Sequence, residues 1–96
     1  MSIYFEGLNQ RAFGTFPLKG DVARQAIQDA LGVGYRAIDT AQMYGNEAET
    51  GEVLRSSGIP RDELCITTKV HPDNVGADKF IASVKQGLKD LRTDYV

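Results

Sequence analysis

The sequence predicts an α/β fold in which helices cover at least one face of a parallel sheet, and three observations carry this reading. Short apolar runs alternate strictly with amphipathic segments along the chain. The connections are brief and contain Gly, Pro or Asp. The order strand, helix, strand, helix, strand, helix, strand fits repeated crossovers between parallel strands.

Each element has its own signal. Residues 12–16 (Ala-Phe-Gly-Thr-Phe) form an apolar run that stops at Pro17 and read as the first strand. Asp21 is placed to cap a first helix whose Val22, Ala26, Ile27, Ala30 and Leu31 share one face, and Gly32-Val-Gly34 ends it. Residues 36–40, with Ala37 and Ile38 at their centre, read as a second buried strand. Asn46 is placed to cap a second helix reaching to Ser57, with Glu47 and Glu49 in the first turn, where carboxylates suit the positive end of the helix dipole. Its apolar face, Ala48, Val53 and Leu54, is thin. Residues 64–69 (Leu-Cys-Ile-Thr-Thr-Lys) follow the turn Gly58-Ile-Pro-Arg-Asp62 and are rich in β-branched side chains, the mark of a third strand. In the third helix, residues 77–91, Phe80, Val84, Leu88 and Leu91 recur at helical spacing and should pack on the strands. A fourth strand is expected to open at Tyr95-Val96.

Composition excludes several functions. Ninety-six residues make one domain at most, with a correspondingly modest core. Apolar residues at 42% and charged residues at 25% argue against disorder, collagen and coiled coil. A net charge of -2 and a pI near 5.3 provide no basic face for phosphates, so nucleic acid is not an expected partner. No apolar run is long enough to cross a membrane, and Met1-Ser-Ile-Tyr-Phe-Glu-Gly7 lacks the basic and apolar regions of a signal peptide. The single Cys65 cannot form an intramolecular disulfide and has no partner at a zinc-ligand spacing. A reduced, cytoplasmic protein without a metal site is expected.

Two architectures satisfy the element order: a small doubly wound domain, and the opening of a (β/α)8 barrel, which closes at about 250 residues. The first strand lacks the Gly-x-Gly-x-x-Gly turn that seats a dinucleotide pyrophosphate, and no Walker A sequence occurs. In either architecture chemistry gathers at the carboxyl ends of the strands. There the second strand ends at Asp39, Tyr44 follows five residues later, and the third strand ends at Lys69. Neighbouring strands lie about 4.8 Å apart, so Asp39 and Lys69 can pair with Tyr44 hanging over them. Phenol titrates near 10 and is a poor acid at neutral pH unless its anion is stabilised. An ammonium beside it supplies that stabilisation, and a carboxylate holds the ammonium charged and oriented. The three together make a general acid suited to protonating a carbonyl oxygen. Hydride must then come from a nicotinamide, since no side chain delivers it.

Taken singly, an Asp, Tyr or Lys at a strand end is more often a capping or solvated residue, and the grouping is what carries the functional reading. Thr67 and Thr68 read as strand interior, and Cys65 as a buried apolar filler. His71 lies two residues past Lys69 at the strand mouth and reads as pocket wall, while the charge-rich third helix reads as a solvated face.

The run Gly34-Tyr-Arg-Ala-Ile-Asp39-Thr-Ala-Gln-Met-Tyr44-Gly-Asn-Glu47 resembles the signature of the aldo-keto reductases, and Ile66-Thr-Thr-Lys69 resembles their third-strand lysine motif. Phe13-Gly-Thr-Phe16 is similar to the family's first strand, and residues 88–96 to the approach to its fourth. This resemblance implies the (β/α)8 barrel. It also implies reduction of aldehydes and ketones with NADPH by a tetrad of Asp, Tyr, Lys and His, on small carbonyl substrates of the 2,5-diketo-gluconate or methylglyoxal type. Asp39, Tyr44 and Lys69 fall on three tetrad positions, with Tyr44 as proton donor. By the same carry-over Gly14, Thr15 and Asp39 lie near the cofactor, and Phe16, Met43 and His71 line the substrate pocket.

Four features depart from the family pattern. The resemblance places the tetrad histidine at the end of a fourth strand, past Val96. Ala12 stands where relatives commonly have Gly, and Thr50 where they prefer a small or aliphatic residue. Residues 1–10 match poorly. Three βα units and the start of a fourth strand imply the N-terminal portion of a barrel rather than a whole one. Such a portion alone is expected to be inactive and prone to self-association through its open edge, whereas the complete enzyme is expected to be a monomer. A regulatory relative, of the kind that serves potassium channels as a β subunit, and a truncated non-catalytic product are the rival readings.

Overall fold

The computed structural model describes residues 11–96, and the ten residues before them, for which the sequence gives no pairing, lie outside the described residues. Three strands, β1 (Ala12–Gly14), β2 (Ala37–Asp39) and β3 (Cys65–Thr67), alternate with three helices, α1 (Gly20–Gly32), α2 (Glu47–Ser56) and α3 (Ala77–Asp90). The strands form one parallel sheet in the order β1-β2-β3. They are shorter than the apolar runs, yet inter-strand bonds continue past their ends. Thr15 N–H donates to the Asp39 carbonyl at 3.0 Å, Thr40 N–H to Thr67 at 2.8 Å and Gln42 N–H to Lys69 at 3.0 Å.

Register places Phe13, Ile38 and Ile66 on one rung. Side chains alternate along a strand, so these three share a face. Ile38 and Ile66 join Ile27 and Leu31 of α1, Val53 and Leu54 of α2, Leu64 and Leu91 in a single buried cluster, with Phe13 packed against it. The next rung, Gly14, Asp39 and Thr67, points the other way. The sheet therefore has an apolar face covered by helices and a polar-edged face at its carboxyl end.

Several expectations need correction. Lys19, not Asp21, is the residue before α1, and Asp21 sits in the first turn, ion-paired with Arg24 at 3.1 Å. Ala23, rather than Val22, leads the inward face with Ile27, Ala30 and Leu31, which follow it at i+4, i+7 and i+8, and Val22, one residue off that stripe, is 65% exposed. In α2 Ala48 is exposed, and the buried face is Glu47, Thr50, Gly51, Val53 and Leu54. Gly51 is required there by close approach: a Cβ would meet the Asp90 carbonyl oxygen at 2.4 Å. Thr50 fits by donating its buried hydroxyl to the Asn46 carbonyl at 2.9 Å.

Helix α3 packs against α2 rather than onto the strands. Phe80 is 45% exposed, Val84 and Leu88 are half-buried, and only Leu91, just past the helix, reaches the core. No strand forms at Tyr95-Val96. The Arg61 guanidinium covers the Tyr95 ring at 3.8 Å and donates to the Tyr95 carbonyl, an oxygen that a ladder would need. Cys65 is half-buried instead of a core filler, because alternation puts it on the face opposite Ile66. Among the described residues no helix is long and apolar enough to cross a membrane.

Candidate active site

Asp39 ends β2 on the face away from the helices, and Lys69, two residues beyond Thr67, falls on the same face of β3. A single 3₁₀ turn, Gln42–Tyr44, then carries Tyr44 back over the strand ends. The turn is pinned to β3 by the Gln42 N–H bond to Lys69, and it closes at Gly45 with φ of 68°, a left-handed conformation that glycine adopts without strain.

The Lys69 Nζ donates to Asp39 Oδ1 at 2.5 Å, to the Tyr44 hydroxyl at 3.3 Å and to the Thr40 carbonyl at 3.3 Å. An ammonium has three protons, so these oxygens account for all of its donors. The cation also lies 5.0 Å from the centre of the Tyr44 ring. The Lys69 pKa is raised above the ordinary lysine value, first by the bond to Asp39, with the bond to Tyr44 adding and partial burial opposing. The Lys69 and Asp39 side chains are 50% and 39% exposed, so the cluster opens to one side and is reachable by a bound molecule.

The sheet brings some expected site residues to this cluster and turns others away. Phe16 packs on Tyr44 in a tilted ring contact with centres 5.1 Å apart, and Met43, the residue before Tyr44, is exposed. Gly14 lies on the Asp39 rung, and a Cβ added to it would meet open space. Thr15 is fully buried, its hydroxyl directed at the Asp39 carbonyl (3.3 Å) and at Asn46 Oδ1 (3.1 Å). The His71 ring is drawn into its own turn, where Nδ1 accepts from Asp73 N–H at 3.0 Å. Its backbone N–H donates to Gln42 Oε1 at 2.8 Å.

Sequence reasoning missed the support behind the cluster. Thr15, Thr40 and Thr68 each follow a residue that points away from the helices and so face α2. Asn46 Oδ1 accepts from the hydroxyls of Thr15 and Thr40, and Glu47 Oε2 accepts from that of Thr68 at 2.6 Å. The available signal was a threonine one step past each strand on the face otherwise lined by Ile and Phe, where a buried hydroxyl needs a partner.

Asp39 binds Lys69 through Oδ1, which leaves Oδ2 as an acceptor on the open face, and Gly14 beside it leaves the backbone uncovered. A sugar hydroxyl fits that acceptor, and the plane of a nicotinamide fits the open space beside it.

Comparison with known proteins shows the family and the fold. Residues 7–96 match the profile of the Aldo/keto reductase family. Methylglyoxal reductase DkgB of Salmonella typhi is 55% identical over 83 residues, which are 86% of this chain and 31% of that protein. The chain thus spans about a third of the length of the curated relatives it matches. A solved structure provisionally named 2,5-diketo-D-gluconic acid reductase B superposes with a TM-score of 0.85 at 52% identity, covering 88% of this chain and 30% of the other. The Bombyx mori aldo-keto reductase, solved in complex with NADP, superposes with a TM-score of 0.78 at 34% identity, covering 88% and 31%. The chain belongs to the Aldo/keto reductase family, and its three βα units are the N-terminal part of that family's (β/α)8 barrel.

Proposed function

We propose that these residues carry the proton-donor half of an NADPH-dependent reductase of small aldehydes and ketones. The observation that carries the reading is the contact of one ammonium with both a carboxylate at 2.5 Å and a phenol at 3.3 Å at neighbouring strand ends. Asp39 keeps Lys69 protonated and aimed. Lys69 favours the phenolate that Tyr44 becomes when it gives its proton to the carbonyl oxygen. Phe16 and Met43 supply apolar wall beside the phenol, and His71, two residues past Lys69, borders the same mouth. Gly14, Thr15 and Asp39 lie where the nicotinamide end of NADPH would rest: Gly14 by leaving space, Asp39 through its second oxygen, and Thr15, fully buried, by supporting the Asp39 carbonyl from behind. A bound reduced nicotinamide supplies hydride to the carbonyl carbon.

The relatives called methylglyoxal reductase and 2,5-diketo-D-gluconic acid reductase favour a small dicarbonyl or keto-sugar acid as substrate. A cytoplasmic setting suits a reductase that draws on NADPH. The rival non-catalytic reading applies to the 96 residues by themselves, since three strands are fewer than the eight that close a barrel.

Tyr44→Phe in the complete barrel tests the reading. Loss of a positioned general acid lowers turnover of methylglyoxal by about 10²–10⁴-fold. NADPH affinity, read by calorimetry, stays close to that of the parent protein. Turnover that survives the substitution would refute the role of Tyr44.

A further inference from the structure

Asn46 stands at the N-cap of α2, yet its side chain caps nothing. An Asn at that position ordinarily accepts from a first-turn N–H and so steadies the helix start. Here the fully buried amide reaches across the fold instead. Its Nδ2 donates to the carbonyls of Thr15 (3.1 Å) and Leu18 (2.9 Å), and its Oδ1 accepts from the hydroxyls of Thr15 (3.1 Å) and Thr40 (2.7 Å). Both donors and both acceptor sites of the amide are thereby used.

The partners are informative. Thr15 and Leu18 bracket Phe16, and Leu18 N–H also closes back on the Thr15 carbonyl at 2.8 Å. Thr40 follows Asp39 directly, and its carbonyl is one of the three oxygens held by Lys69. One amide therefore joins the loop that carries Phe16 to the strand end that carries the acid cluster. Phe16 is 66% exposed, so packing alone does not fix it, and its place depends on the backbone at either side.

We propose that Asn46 is a positioning residue for carbonyl reduction: by clipping the loop between β1 and α1 to the end of β2, it holds Phe16 against the Tyr44 ring and so fixes the pocket wall relative to the proton donor. The proposal rests on the reading of Tyr44 given above. It places the effect of Asn46 on substrate binding and on the surroundings of the phenol rather than on the stability of α2.

A double-mutant cycle of Asn46→Ala with Phe16→Ala in the complete barrel tests it. Two readouts are needed: steady-state reduction of methylglyoxal, and the fluorine spectrum of protein labelled with 3-fluorotyrosine, with the Tyr44 signal assigned by Tyr44→Phe. Asn46→Ala alone is expected to raise KM about tenfold with kcat changed less than about threefold, and to move the Tyr44 signal in the direction that Phe16→Ala moves it. Added to Phe16→Ala, it changes KM by less than about twofold, because what it positions is already gone. An equal KM factor in both backgrounds, or an unmoved Tyr44 signal, overturns the proposal. Should Asn46→Ala fail to fold, Thr40→Val removes the 2.7 Å bond and keeps the two to the loop carbonyls. A smaller KM increase with the same signal shift then supports the clip, and no change in either overturns it. A parent protein that reduces no carbonyl overturns the Tyr44 reading and the catalytic part of this proposal, and in that case a shared signal shift still supports the clip itself.

Discussion

Lys69 is the residue on which the proposed chemistry turns, because its charge state is set by its neighbours. Asp39 is the foremost cause of its raised pKa, so the ammonium persists further into the alkaline range than a free lysine would. Asp39→Asn removes that cause and leaves a side chain of similar shape. Lys69 then loses its proton at lower pH, and the alkaline limb of the kcat/KM profile for the complete barrel moves downward. Rates measured from neutral pH into the alkaline range check this, and an unmoved limb refutes the dependence on Asp39. These residues were legible in the sequence because each ends or follows a recognisable strand, and parallel α/β folds gather chemistry there. Asn46 was legible only as a cap. The local rule was outweighed by long-range partners, the Thr15 and Leu18 carbonyls and the Thr40 hydroxyl, which no pattern within a helix window contains. Thr15 and His71 show the same limit. The family resemblance put Thr15 near the site and position along the chain put His71 there, but the direction of each side chain was decided by a hydrogen bond to Asn46 or to the backbone of Asp73.

Among the elements, α2 does more than its thin apolar stripe implied. Its buried face includes Glu47, only 8% exposed, which accepts from Thr68 next to Lys69 and lies against Gly87 of α3, where an added Cβ would stand 3.2 Å from Oε2. The Glu47 pKa is raised above 4.5, first by burial, with the Thr68 bond opposing and the charge of Asp90 adding. A carboxyl whose folded pKa is raised binds its proton more tightly in the folded state. Its contribution to stability is therefore most favourable below the ordinary value and declines as pH rises through the raised one. Glu47→Gln removes this slope while the amide oxygen takes the place of Oε2 as acceptor from Thr68. The stability of the variant relative to the parent barrel is expected to grow from about pH 4 to about pH 7. Urea unfolding at both ends of that range measures it, and a constant difference would sink the argument. The hydrophobic period located α1 and α2 well, since their buried sets include Ile27, Leu31, Val53 and Leu54. It could not foresee that α3 would lie on α2, because the close approach is made by Gly51 and Gly87, residues invisible to an apolar pattern.

At the scale of the whole molecule, the parallel order β1-β2-β3 with helices on one face is the start of a barrel, and its incompleteness has physical consequences. Among the described residues β1 and β3 are the outer strands of the sheet. Phe80, Ile81, Tyr95 and Val96 are all exposed, an apolar set of the kind that further βα units would cover. The architecture was legible because strand-helix alternation survives in any portion of a barrel, whereas closure depends on strands this stretch does not contain. Bare apolar side chains of this kind favour association with other chains over a stable monomer. An extended dinucleotide would find here only the surface offered by three of eight strand ends, too little to order its sugar, phosphates and ring together. The 96-residue chain by itself is therefore expected to sediment well above its mass of 10.5 kDa and to bind NADPH weakly or not at all. Sedimentation velocity at micromolar concentration and calorimetric titration with NADPH give the two readings. A monodisperse species of 10.5 kDa that binds the cofactor tightly would show that these three units need no closed barrel, and the apolar faces left bare on α3 would then require another explanation.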